Sequence, residues 1–133
     1  MNVVEIEGVG AVFAQKLTAA DVKTTEALLK KGGTPKGRKD LAADTGIDEK
    51  KILEWVNRSD LLRVKGVGSE FSDLLEAAGV DTVKELATRR ADNLQAKMAE
   101  LNTKKKLVRR VPTSAEVEAW VAHAKTLPAA VTY

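Results

Sequence analysis

The sequence predicts an all-α fold of about eight short helices in one compact body, and three observations predict it. Apolar residues recur at helical spacing along most of the chain. Helix-start signals, a Ser, Thr or Asp ahead of an apolar run, recur between them. Strict alternation of period two never lasts, and the VVEI and LLRV stretches are too short to build a sheet. The chain also repeats itself. GVGAVFAQKL, which begins at Gly8, returns as GVGSEFSDLL at Gly66. At that offset Ile6 falls on Val64, Phe13 on Phe71, Leu17 on Leu75, Ala20 on Ala78, Val22 on Val80, Thr24 on Thr82 and Leu28 on Leu86. Matched positions are apolar or glycine almost throughout, so a packing plan is shared while surface residues differ. Trp55 and Trp120 correspond if the second copy carries an insertion that includes part of KKKLVRRVP. We therefore expect two repeat units, 1–60 and 61–133. They should pack as one body, because either half alone has a marginal core.

Each element has its reason. After Gly10, the residues Val12, Phe13, Leu17 and Ala20 follow helical spacing until Ala20-Asp21-Val22 breaks the helix. Thr24 or Thr25 caps a second helix carrying Leu28 and Leu29. Gly32-Gly33-Thr34-Pro35 ends it and starts a third, over residues 36–45. Gly46-Ile47-Asp48 turns the chain into a fourth helix over 49–57, with Ile52, Trp55 and Val56 on one face. In the second copy Thr82 with Glu85, and Thr113 with Glu116, have the spacing of reciprocal capping boxes. The last helix aligns Val117, Trp120, Val121 and Ala124.

Composition narrows the function classes. There is no cysteine, so disulfides and thiolate metal sites are excluded, and one histidine, His123, rules out a site built on several imidazoles. No cofactor and no catalytic constellation is indicated, and we expect no enzyme. The first residues, MNVVEIEG, lack the charged start and apolar stretch of a signal peptide, which makes a cytoplasmic location the expectation. No run of about 20 apolar residues crosses a bilayer, so no membrane partner is expected. Net charge is +3. Residues 1–60 hold 10 basic and 10 acidic side chains, so the excess lies in the second half, where KKKLVRR sets five cations in seven residues. Leu107 and Val108 interrupt that segment and are expected to pack inward.

The doubled glycine motif carries the functional question. Ile6-Glu7-Gly8-Val9-Gly10, then Leu17, Val22 and Leu28, resembles the helix-hairpin-helix motif, as does Val64-Lys65-Gly66-Val67-Gly68, then Leu75, Val80 and Leu86. Each half resembles the double helix-hairpin-helix unit of DNA repair and recombination proteins. The full chain looks most like a small prokaryotic family known only as a domain of unknown function built from such repeats. The resemblance implies a mechanism. Glycines lacking Cβ let the backbone approach a phosphate, helix-start N–H groups point at its oxygens, and a nearby cation completes the site. Such contacts hold the sugar–phosphate backbone without reading bases. Carried over, the contact residues are Gly8, Val9, Gly10 and Ala11 with Lys16, and Gly66, Val67, Gly68 and Ser69 with Lys65. Lys104, Lys105, Lys106, Arg109 and Arg110 form a basic patch, with Arg89 and Arg90 as further members.

Two readings of the bends stay open. They hold DNA, duplex or junction, in a non-enzymatic and sequence-independent way, at roughly 10⁻⁴ to 10⁻⁶ M. Alternatively they are purely structural turns in a protein–protein adaptor. The acids after the second bend, Glu70 and Asp73, oppose an anion there, with Lys65 partly compensating, while Glu7 flanks the first bend and Lys16 is the first cation after it. The aromatic residues Phe13, Phe71, Trp55 and Trp120 are read as core, since base stacking needs exposed rings. His123, near the end of the last helix, has no recognisable catalytic partner.

Overall fold

A computed structural model describes all residues from 1 to 133 and is all-helical, without a β-strand. A 3-10 turn at Val3–Glu5 precedes α1 (Gly10–Ala19), α2 (Thr25–Gly32), α3 (Pro35–Thr45) and α4 (Glu49–Leu61). Then follow α5 (Ser69–Ala77), α6 (Val83–Ala87), α7 (Ala91–Lys105) and α8 (Ser114–Ala124). No helix is long and apolar enough to cross a membrane.

The helix starts follow local chemistry. Ala27 N–H donates to Thr24 Oγ1 at 3.1 Å, and Gly37 N–H to Thr34 Oγ1 at 3.1 Å, each satisfying a donor that has no partner inside the helix. Pro35 occupies the first turn of α3, where its missing N–H costs nothing. Lys50 N–H donates to Asp48 Oδ1 at 2.9 Å to open α4. Thr113 and Glu116 form the reciprocal box expected of them. Thr82 and Glu85 form only half of theirs. Glu85 N–H donates to Thr82 Oγ1, but the Glu85 carboxylate turns to Arg89, taking Nε at 3.1 Å and Nη2 at 3.0 Å. A charged donor one turn on competes successfully with a backbone N–H.

The chain divides into two compact units, Met1–Asp60 with Ala130–Tyr133, and Leu61–Ala129. The last four residues thus belong with the first unit, a long-range placement that a reading of 61–133 as one segment does not contain. The first core gathers Ile6, Val9, Leu17, Val22, Leu28, Ile52, Trp55 and Val56. The second gathers Val64, Val67, Leu75, Val80, Leu86, Met98, Val117 and Trp120. Each fully buried Leu or Val contributes about 1.5–3 kcal/mol over its exposed state.

The same hydrogen bonds recur within each unit at the sequence offset. Ile6 N–H donates to Val3 O and Val64 N–H to Leu61 O, both at 3.1 Å. Val9 N–H donates to Ile6 O and Val67 N–H to Val64 O, again at 3.1 Å. Val22 N–H meets Leu17 O at 2.8 Å, and Val80 N–H meets Leu75 O at 2.9 Å. Phe13 lies 5.2 Å from Trp55 and Phe71 lies 5.1 Å from Trp120 between ring centroids.

Three local expectations are corrected. Val12 lies on the outer side of α1, 67 % exposed, because Phe13 and Leu17 already fill the inward face. Helix α4 continues past the expected end at 57 through Leu61, so residues 57–60 are helical and buried. Val108 is buried as expected, but Leu107 is exposed, since the chain has just left α7 and only one of the pair turns inward.

Candidate nucleic-acid interface

The first bend places Gly8 and Gly10 at φ of +89° and +64°, in the region that side-chain-bearing residues avoid. Between them Val9 turns inward and is 1 % exposed. Its N–H donates back to Ile6 O. The glycines and Ala11 remain at the surface, and no protein acceptor takes up the N–H of Gly8, Gly10 or Ala11. Alone among the eight helices, α1 begins with neither a side-chain cap nor an acid in its first turn. Its positive end, worth about half an elementary charge, therefore has no acid in its own first turn, the nearest in sequence being the exposed Glu7 just before the bend.

Two lysines meet at the Phe13 ring, Lys16 from the last turn of α1 and Lys51 from α4. Lys16 Nζ lies 5.9 Å and Lys51 Nζ 5.4 Å from the Phe13 ring centroid, so α1 and α4 each bring a cation to one aromatic ring. Lys16 was legible in the sequence. Lys51 was not; the signal was its position one turn before Trp55, the ring against which Phe13 packs.

The second bend shares its first glycine's conformation with the first bend and differs at its second glycine and in its chemistry. Gly66 sits at φ +92°, and Val67 is buried, 6 % exposed, with its N–H on Val64 O. Gly68, by contrast, is extended. Lys65 N–H donates to His123 Nδ1 at 3.0 Å, so α8 fastens the bend through an imidazole. His123 thereby acquires a structural partner that its sequence context did not reveal. Ser69 starts α5 and is half-buried, and Glu70 supplies the acid in that first turn. Ser72 Oγ also bonds back to Ser69 O at 2.8 Å. Here the protein complements its own helix dipole.

The basic segment is divided. Lys104 and Lys105 end α7, and Lys106 caps it in the left-handed region at φ +51°. Lys104 reaches Glu100 at 3.5 Å, a solvated pair of small worth. Asn102 folds the exit into a loop. Its Oδ1 accepts from Val108 N–H at 3.0 Å and its Nδ2 donates to Val108 O at 3.2 Å. Lys105, Lys106 and Arg109 are exposed. Arg110 is engaged, donating to both Glu116 oxygens at 2.5 and 3.0 Å and standing 5.5 Å from the Phe71 centroid. That fork, with the Thr113 N–H, holds the Glu116 carboxyl down at about 2. Arg89 and Arg90 are likewise paired, with Glu85 and Asp92. No cluster of His, Asp and Glu is arranged to hold a metal ion.

An all-helical protein with two glycine bends, one opening a helix that has no cap or first-turn acid and one internally complemented, is the class these features define. The model of the domain of unknown function DUF4332 matches residues 7–127, and the chain belongs to that family. The match includes both bends, the 104–110 segment and α8, and stops before the last six residues. No solved structure matches the chain.

Proposed function

We propose that the protein is a non-enzymatic nucleic-acid-binding module of helix-hairpin-helix type that holds the sugar–phosphate backbone at its first bend. The observation that carries this reading is the bare start of α1. Its free N–H groups at Gly8, Gly10 and Ala11 lie at an exposed turn whose two glycines lack Cβ, and Lys16 and Lys51 flank the Phe13 ring on the same helix. A phosphate oxygen is the acceptor such a helix start lacks. The contacts involve main chain and point charges only, so binding is sequence-independent and falls steeply with salt. The exposed cations Lys105, Lys106 and Arg109 supply further attraction to the polyanion. The second bend contributes less, because Glu70 occupies the favourable position beside its helix start.

Fluorescence anisotropy with duplex, forked and single-stranded DNA tests the reading. Binding at about 50 mM salt that weakens with added salt, and weakens again in Lys16→Ala with Lys51→Ala, supports it. Absence of binding to all three at that salt removes it.

A protein–protein adaptor is the second reading, and a different observation favours it. An apolar groove of about 570 Å³ runs between the 3-10 turn and α1, lined by Val3, Val4, Ala14 and Ala19, with Val4 49 % exposed. In that case DNA binding is absent and the bends serve only to pack helices.

A further inference from the structure

The last four residues of the chain lie in the first unit as an extended strap, and the contacts that hold it are unusual in kind. Thr132 N–H donates to Gly33 O at 2.7 Å, and Arg38 Nη2 donates to Thr132 O at 2.6 Å. Both backbone groups of one strap residue are thus read, as an added strand would be. Arg38 is 4 % exposed, and its other arm donates to Gly32 O at 2.9 Å. This buried guanidinium is held by two carbonyls, one of them supplied by the strap. Gly33 permits the approach: a Cβ there would stand 2.5 Å from Ala130 O. Val131 packs on the first core, and Tyr133, 71 % exposed, donates its hydroxyl to Asn57 Oδ1 at 3.0 Å and sets its ring 5.9 Å from the Arg38 guanidinium carbon.

We propose that this groove, built by Gly32, Gly33, Arg38 and Asn57, is a docking site for an extended peptide segment. In the chain as it stands the site is occupied in cis by Ala130–Tyr133. The partner it fits is the same segment of a second copy. Three features point there. The groove reads main chain through Gly33 O and Arg38, as a site for a peptide ligand does. One small apolar side chain, Val131, and the mostly exposed Tyr133 anchor it. The preceding residues, Pro128 and Ala129, are exposed and non-helical, which suits a hinge for exchange between copies once the 2.7 Å bond from Arg63 Nη2 to Pro128 O opens.

Two full-chain variants separate ligand from groove. Thr132→Pro removes the strap's N–H donor and leaves the groove intact, whereas Gly33→Ala obstructs the groove and leaves the strap intact. A fluorescent peptide of residues 127–133 should bind Thr132→Pro about tenfold more tightly than wild type, because the competing cis ligand is weakened. Gly33→Ala should not bind it. In sedimentation velocity, a mixture of the two variants should associate beyond either alone, as each supplies what the other lacks. If circular dichroism shows Gly33→Ala unfolded, the wild-type chain takes its place as strap donor. Equal or absent peptide binding by wild type and Thr132→Pro, or a mixture that sediments as its components, overturns the proposal.

Discussion

Gly66 lies directly against Trp120: a Cβ at Gly66 would stand 2.9 Å from the indole Nε1. The counterpart in the first unit is looser, with 3.8 Å between a Cβ at Gly8 and Trp55 Nε1. Each bend is thus seated on a buried tryptophan, and the seat is tighter where the bend is more firmly fastened, through Lys65 and His123.

That difference predicts an order of stabilities. Gly8→Ala meets only the cost of a side chain at positive φ, about 1–2 kcal/mol. Gly66→Ala meets the same cost and displaces Trp120, for about 2–4 kcal/mol in total. Urea unfolding followed by tryptophan fluorescence and circular dichroism measures both. Equal losses at the two glycines would show that the tryptophan contact has no energetic part.

The Arg110–Glu116 fork predicts an acid limb. The Glu116 carboxyl is lowered in the fold from 4.5 to about 2, first by Arg110 and next by Thr113 N–H. A lowered carboxyl stabilises the folded state above its unfolded value, and that contribution is lost as pH falls through the folded value. Stability from this group is therefore complete above pH of about 4.5 and disappears as pH approaches about 2. Glu116→Gln should flatten that part of the melting-temperature profile and leave the profile near neutrality parallel to wild type. An unchanged acid limb in Glu116→Gln would contradict the assignment.

Asn102 predicts a link between α7 and the cationic loop. Its side chain makes two bonds to Val108, and Asn102→Ala leaves the buried Val108 backbone short of both. The loss should be about 1–3 kcal/mol. Amide exchange should accelerate at Val108 more than in the middle of α7. Uniform acceleration along α7 would mean that Asn102 supports the helix and not the loop.

The basic segment and the first bend predict different effects on DNA binding. Lys104→Ala with Lys105→Ala and Arg109→Ala should reduce the salt dependence, by about one unit of slope for each phosphate no longer neutralised. Arg110→Ala should alter stability more than binding, since its guanidinium is already engaged by Glu116. A drop in affinity from Arg110→Ala equal to that of the triple variant would move the interface toward α5.

Much of this architecture was legible because it is local. Thr24, Thr34, Asp48, Thr82 and Thr113 announce helix starts through side chains acting within three residues, and each does so in the structure. The matched apolar positions marked out the two cores for the same reason. The failures were contests or distant meetings. Glu85 had two donors within reach, and only geometry selects Arg89 over the backbone. Lys51 with Phe13, Arg110 with Phe71, and Lys65 with His123 are separated by 38, 39 and 58 positions, and no local pattern pairs them. The strap is the extreme case, with Thr132 and Gly33 meeting across 99 residues.

Nitrogen-15-labelled protein titrated with a short DNA duplex at about 50 mM salt addresses the first bend most directly, because the proposed donors are backbone amides that side-chain substitution leaves in place. The amide signals of Gly8, Gly10 and Ala11 should shift saturably and return when salt is raised, with those of Gly66 and Gly68 moving less. Saturable shifts confined to other surfaces, or none at any DNA concentration, would contradict backbone-phosphate recognition at the bare start of α1.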